Sequence, residues 1–165
     1  MSEATARMDL TQAPVAATGM LIRRPVSEVF EAFVDPAITT RFWFTDSSGR
    51  LEPGATVRWR WEMYGVEVDV DVLAMEQDTR ILIEWGTSEE PRTPVEWTFR
   101  PLSDDTTFVS IVHSGFHGDG DQQCAQACDS IGGFTLVLAG AKALLEHGIE
   151  LNLVPDRFPA ELMNG

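Results

Sequence analysis

The sequence predicts one α+β domain in which an antiparallel sheet of about six strands packs with one long C-terminal helix, two short helices following the first strand. Three observations carry this. Apolar residues recur at helical spacing over Val29–Val34 and again from about Cys124 to Leu145. Between them, from Gly54 to Gly115, the apolar period is two. No helical pattern interrupts that stretch to carry a parallel crossover, so neighbouring strands pair antiparallel.

The elements follow in order. Val15–Ile22 is a short apolar strand that stops at Arg23-Arg24-Pro25. Ser27 is the expected N-cap of a first helix, with Val29, Phe30, Phe33 and Val34 on one face, and Asp35-Pro36 ends it. A second short helix, about Ala37–Phe42, delivers Phe42, Trp43 and Phe44, three rings that cannot all face water cheaply. In Val57–Glu62, Val and Trp alternate with charges; Tyr64-Gly65 turns the chain; Val66, Val68, Val70 and Val72 then alternate with Glu67, Asp69 and Asp71. Arg80–Trp85, Val95–Arg100 and Thr106–Gly115 repeat the pattern, separated by turn-rich Glu89–Pro94 and Pro101–Asp105. After Gly118–Asp121, read as a turn and helix cap, one helix runs to about Gly148. Its expected inward stripe is Cys124, Cys128, Ile131, Phe134, Leu138, Ala141 and Leu145. Gly132, Gly133 and Gly140 each cost about 1 kcal/mol relative to Ala in a helix, so they mark a close backbone approach, a bend or open space.

The chain has 165 residues, a size for one domain, with no repeat or internal linker. Residues 1–14 are expected to be a flexible N-terminus, 15–153 the domain and 154–165 a fraying tail. With 26 acidic and 12 basic residues, a formal charge of −14 opposes nucleic acid and anionic membrane surfaces as partners. No signal peptide is visible, and the apolar run Ile131–Ala141 falls short of the ~20 residues of a spanning helix, so a cytoplasmic protein is expected. Cys124 and Cys128 lie four apart on a helix, poor geometry for a bridge, and are read as reduced.

This element order resembles the helix-grip fold of the START and birch-pollen-allergen (SRPBCC) superfamily. The segments PVSEVFEAFVDP (25–36), RFWF (41–44), LEPG (51–54), WEMYG (61–65), HSGF (113–116) and GFTLVLAGAKALLEH (133–147) are similar to bacterial proteins related to the C-terminal domain of the heat-shock protein 90 ATPase activator. The resemblance covers about Val15 to Leu153. It implies a curved sheet gripping the long helix, with a cavity between them that often admits an apolar small molecule. Many members carry Gly-Trp near the start of the last helix where this chain has Gly133-Phe134, a smaller ring that widens the interior. The eukaryotic activator works through a further N-terminal domain for which 165 residues leave no room, so chaperone stimulation is not implied.

The candidate site residues are Trp43, Trp59, Trp61, Trp85, Trp97, His113, Cys128, Ile131 and Phe134, grouped as the lining of a cavity between sheet and helix. Large rigid rings shape such a space, and indole N–H groups orient a polar end of a ligand; packed core is the plainer reading of any one tryptophan. His113 shares a strand face with Val109 and Ile111, where an imidazole can orient a ligand, exchange a proton or simply close a hydrogen bond. Two cysteines without a second close pair do not point to zinc, and Asp119 and Asp121 lack the Glu of a calcium loop, so neither metal nor cofactor is expected. Glu67, Asp69 and Asp71 form either an acidic docking row or a solvated face.

Three functions fit: binding a small apolar or amphipathic molecule, docking on a chaperone or other protein, and a cyclase- or hydrolase-type reaction using His113. Leu136, Val137, Ala143 and Leu144 fall off the expected inward stripe, so the helix's outer face needs a cover. A homodimer through that face is expected, the alternative being the tail with Leu153, Val154 and Phe158.

Overall fold

A computed structural model describes residues 9–163. The chain forms strand β1 (Ala16–Ile22), helices α1 (Val26–Val34) and α2 (Pro36–Thr39), and strands β2 (Asp46–Ser47), β3 (Thr56–Trp61), β4 (Val66–Glu76), β5 (Arg80–Gly86), β6 (Thr93–Ser103) and β7 (Thr106–His113). Helices α3 (Gly120–His147), α4 (Leu153–Arg157) and α5 (Ala160–Met163) follow. The strands make one antiparallel sheet in the order β1-β7-β6-β5-β4-β3-β2, so every connection from β2 to β7 is a neighbour-to-neighbour hairpin. The sheet has seven strands rather than about six because Asp46 and Ser47 pair with Arg60 and Trp59, too short a segment to show a period.

Local chemistry explains the joints. Pro25 precedes α1 without a side-chain cap, so the expected Ser27 cap is not used. Asp35 ends α1 and caps α2 by accepting the Ala37 N–H over 2.9 Å. Asp119 and Gln122 form a reciprocal capping box at the start of α3, satisfying two orphan donors there. Gly148, at φ 66°, closes its other end in a conformation glycine adopts without penalty.

Helix α3 packs along edge strand β1, where Lys142 donates to the Leu21 carbonyl over 2.7 Å and Thr18 and Thr135 hydroxyls meet at 2.7 Å. Its inward stripe is Ala127, Phe134, Val137, Leu138, Gly140, Ala141 and Leu144. The expected stripe was therefore rotated: Cys124, Cys128 and Ile131 are exposed, while Val137 and Leu144 are buried. The glycines divide by role. A β-carbon on Gly140 would stand 3.3 Å from Phe42 Cβ, a close approach, whereas Gly132 and Gly133 face open space.

The start of the tail contacts the domain. Val154 packs against the core, Leu153 reaches Gly140, and the Tyr64 hydroxyl donates to the Val154 carbonyl. Of the two covers considered for α3, the tail is thus in place. By length and composition α3 would span a bilayer, contrary to the count from Ile131–Ala141, yet it is the core helix of this domain, with Leu138 and Ala141 fully buried. Part of the N-terminal segment expected to be flexible, residues 1–8, lies outside the described residues, as do residues 164 and 165 of the tail.

Outside the sheet, the acidic row of β4 is matched by cations. Arg58 meets Asp69 at 3.1 Å, Arg60 meets Glu67 at 3.0 Å, and Arg92 meets Asp71 at 2.9 Å. The first two are directly opposed cross-strand pairs. A row already paired with arginine makes a poor docking surface for a basic partner.

Candidate functional site: a cavity between sheet and helix

Alternation on β3 and β5 turns Trp59, Trp61 and Trp85 to the concave side of the sheet, where Trp43 arrives from the turn after α2. Trp43 is the hub: its ring lies 4.9 Å from Trp59, 6.0 Å from Trp61, 5.9 Å from Trp85 and Trp97, and 5.8 Å from Phe134 on α3. Trp59 stacks on Phe44 at 4.6 Å and, with Trp97, is fully buried.

Against this cluster lies a cavity of about 660 Å³. Trp43, Trp61, Trp85 and Phe134 wall it, Val66 and Val68 of β4 and Leu136 and Val137 of α3 complete the apolar lining, and Gly133 leaves room for it. Five of the nine expected site residues line it: Trp43, Trp61, Trp85, His113 and Phe134. The others do not. Trp59 and Trp97 sit behind the wall as packing, and Cys128 and Ile131 face solvent because α3 presents Ala127 and Phe134 inward instead. Sequence reasoning missed Tyr64, Thr93, Ser130, Val154 and Phe158. The four-residue spacing of Val154 and Phe158 was the only available signal for the last two.

His113 is the one buried polar residue on this lining among the described residues. It ends β7 and joins three other elements: Thr93 Oγ1 lies 2.7 Å from Nε2, Trp85 Nε1–H donates to Nε2 over 3.5 Å, and Ser130 Oγ on α3 lies 2.8 Å from Nδ1. Among the described residues no carboxylate hydrogen-bonds to the ring. Burial disfavours the imidazolium and pushes the pKa down to about 4, so the group is neutral at pH 7. The mouth carries exposed Glu90, His117, Asp129 and Arg157, with the Phe158 ring under the Arg157 guanidinium at 4.6 Å. Among the described residues no three His, Cys, Asp or Glu side chains are placed to hold a metal ion, and Cys124 and Cys128 are free thiols.

A curved sheet around a long helix with a cavity between them defines a START-like helix-grip domain. Within that class, residues 23–146 match the family model described as activator of Hsp90 ATPase homolog 1-like protein, and the chain belongs to that family. No curated protein matches it. Among solved structures, protein SSP2350 from Staphylococcus saprophyticus is 30% identical, over 84% of this chain and 96% of that one, with a TM-score of 0.71. The Aha1 dimer from Colwellia psychrerythraea is 19% identical, over 82% and 98%, with a TM-score of 0.70. The di-domain ARO/CYC BexL from the BE-7585A biosynthetic pathway is 17% identical over 81% of this chain and 46% of that one, with a TM-score of 0.71.

Proposed function

We propose that the protein binds a small apolar or amphipathic molecule in the cavity between the sheet and α3. The observation that carries this reading is an aromatic-walled space of about 660 Å³ with one buried polar anchor, His113. Cores packed for stability alone leave few voids larger than a water molecule, whereas ligand sites of about 300–1,000 Å³ combine apolar walls with a few polar groups. Native mass spectrometry of the protein purified from its own source tests it. A co-purifying adduct of a few hundred daltons, released on denaturation, supports the reading; bare protein that also takes up no apolar probe contradicts it.

A cyclase- or hydrolase-type reaction is the second reading, favoured by the structural likeness to BexL. It ranks lower because His113 lacks a carboxylate partner, and a base with a pKa of about 4 is mostly unable to hold a proton at neutral pH. Docking on a chaperone rests on the family description alone. Pairing of two copies, as in the Colwellia relative, would need a face other than Val137 and Leu144, which are buried within this chain.

A further inference from the structure

The hydrogen bonds around His113 on the cavity wall run in one direction. The Trp85 indole can only donate, and its Nε1–H meets His113 Nε2. Nε2 is therefore an acceptor, and it also takes the Thr93 hydroxyl proton. A neutral ring with a bare Nε2 carries its hydrogen on Nδ1, which donates to Ser130 Oγ.

This order leaves two groups over. Ser130 accepts from the ring and keeps its own hydroxyl hydrogen, with no other side-chain hydrogen bond among the described residues. Thr93 Oγ1 has spent its hydrogen on the ring and keeps its lone pairs. Both residues line the cavity, one on β6 and one on α3, so the wall beside His113 offers one O–H donor and one oxygen acceptor. Among the described lining residues the one Lys or Arg is Arg157. The charged side chains of the lining, Glu90, Asp129 and Arg157, are all exposed at the mouth.

We infer that the cavity selects molecules that end in a neutral oxygen, an alcohol, phenol or ketone, and seats that oxygen beside His113, between Thr93 and Ser130. The inference rests on the cavity being a ligand site and adds the chemical class of the ligand. A carbonyl oxygen accepts the Ser130 O–H; a hydroxyl does the same and donates to Thr93 Oγ1. A carboxylate carried inward loses its hydration and meets no positive partner, and one left at the mouth meets Glu90 and Asp129 as well as Arg157.

The test uses displacement of the neutral fluorophore N-phenyl-1-naphthylamine by 1-decanol, 2-decanone and decanoate at pH 7. In the unmodified protein the alcohol and ketone should compete at least about ten-fold better than the carboxylate. Ser130→Ala and Thr93→Val should each weaken decanol, measured relative to the fluorophore, by about three- to ten-fold. Circular dichroism confirms folding, and the comparison of competitors on unmodified protein needs no variant. Decanoate competing as well as decanol, or decanol unaffected in both folded variants, overturns the inference. Failure of the unmodified protein to bind the fluorophore overturns the ligand-site reading itself.

Discussion

His113 and Ser130 tie the sheet to the long helix: Nδ1 at the end of β7 donates to the serine oxygen over 2.8 Å, across 17 residues of chain. Burial favours the neutral ring, and the Trp85 N–H at Nε2 places its hydrogen on Nδ1.

Stability should therefore depend on pH through this group. Its folded pKa of about 4 lies below the ordinary value of 6.5, so below pH 6.5 the unfolded chain takes a proton the folded one refuses. The contribution is complete above pH 6.5 and is lost as pH falls toward 4, a total of about 3 kcal/mol. His113→Asn should fold and lack this component. Urea unfolding of both proteins between pH 4 and 7 reads it as a difference, which cancels the carboxylates; parallel curves would contradict it.

Gly133 separates stability from binding. A β-carbon there meets nothing within 4 Å and the residue lines the cavity, so Gly133→Leu should stabilise α3 by up to about 1 kcal/mol through helix propensity. The same side chain occupies ligand space. A raised or unchanged melting temperature with apolar-probe binding weakened ten-fold or more is expected.

Val137 and Cys128 test the helix phase. Val137 is 2% exposed, so Val137→Glu buries an unpaired carboxylate and should cost several kcal/mol, whereas Cys128→Glu should leave stability within about 0.5 kcal/mol. Thermal melts of the two variants decide it. A folded Val137→Glu monomer would restore the outer-face dimer.

That phase error shows where the sequence is legible. Strand alternation named the inward residues Trp59, Trp61, Val70 and Val72 because one sheet face is buried and the other wet, which a period of two reports directly. The first turns of α3 run past solvent, so Cys124, Cys128 and Ile131 mimic a core stripe that packing does not use. His113 could be placed inside, but its partners Thr93 and Ser130 come from the β6–β7 register, which pairs Val95 with His113, and the rotation of α3, neither written locally. Val154 and Phe158 are legible as a cover for α3 but not as cavity lining, because Pro155 and Asp156 read as loop although Tyr64 fixes the segment.

Tyr64→Phe should loosen that tail. Removing the hydroxyl leaves the Val154 carbonyl without this donor and costs about 1 kcal/mol locally. Faster amide exchange over residues 153–158, with global unfolding little changed, is the expected signature. Unchanged exchange there would show that Val154 packing alone holds the tail.

The five tryptophans report where a ligand sits. In a nitrogen-15 NMR titration with N-phenyl-1-naphthylamine, the indole N–H signals of Trp43, Trp61 and Trp85 should shift most, because these rings line the cavity. Those of Trp59 and Trp97, packed behind it, should shift least. Saturation of the probe with no indole shift, or with shifts largest at Trp59 and Trp97, would contradict the account.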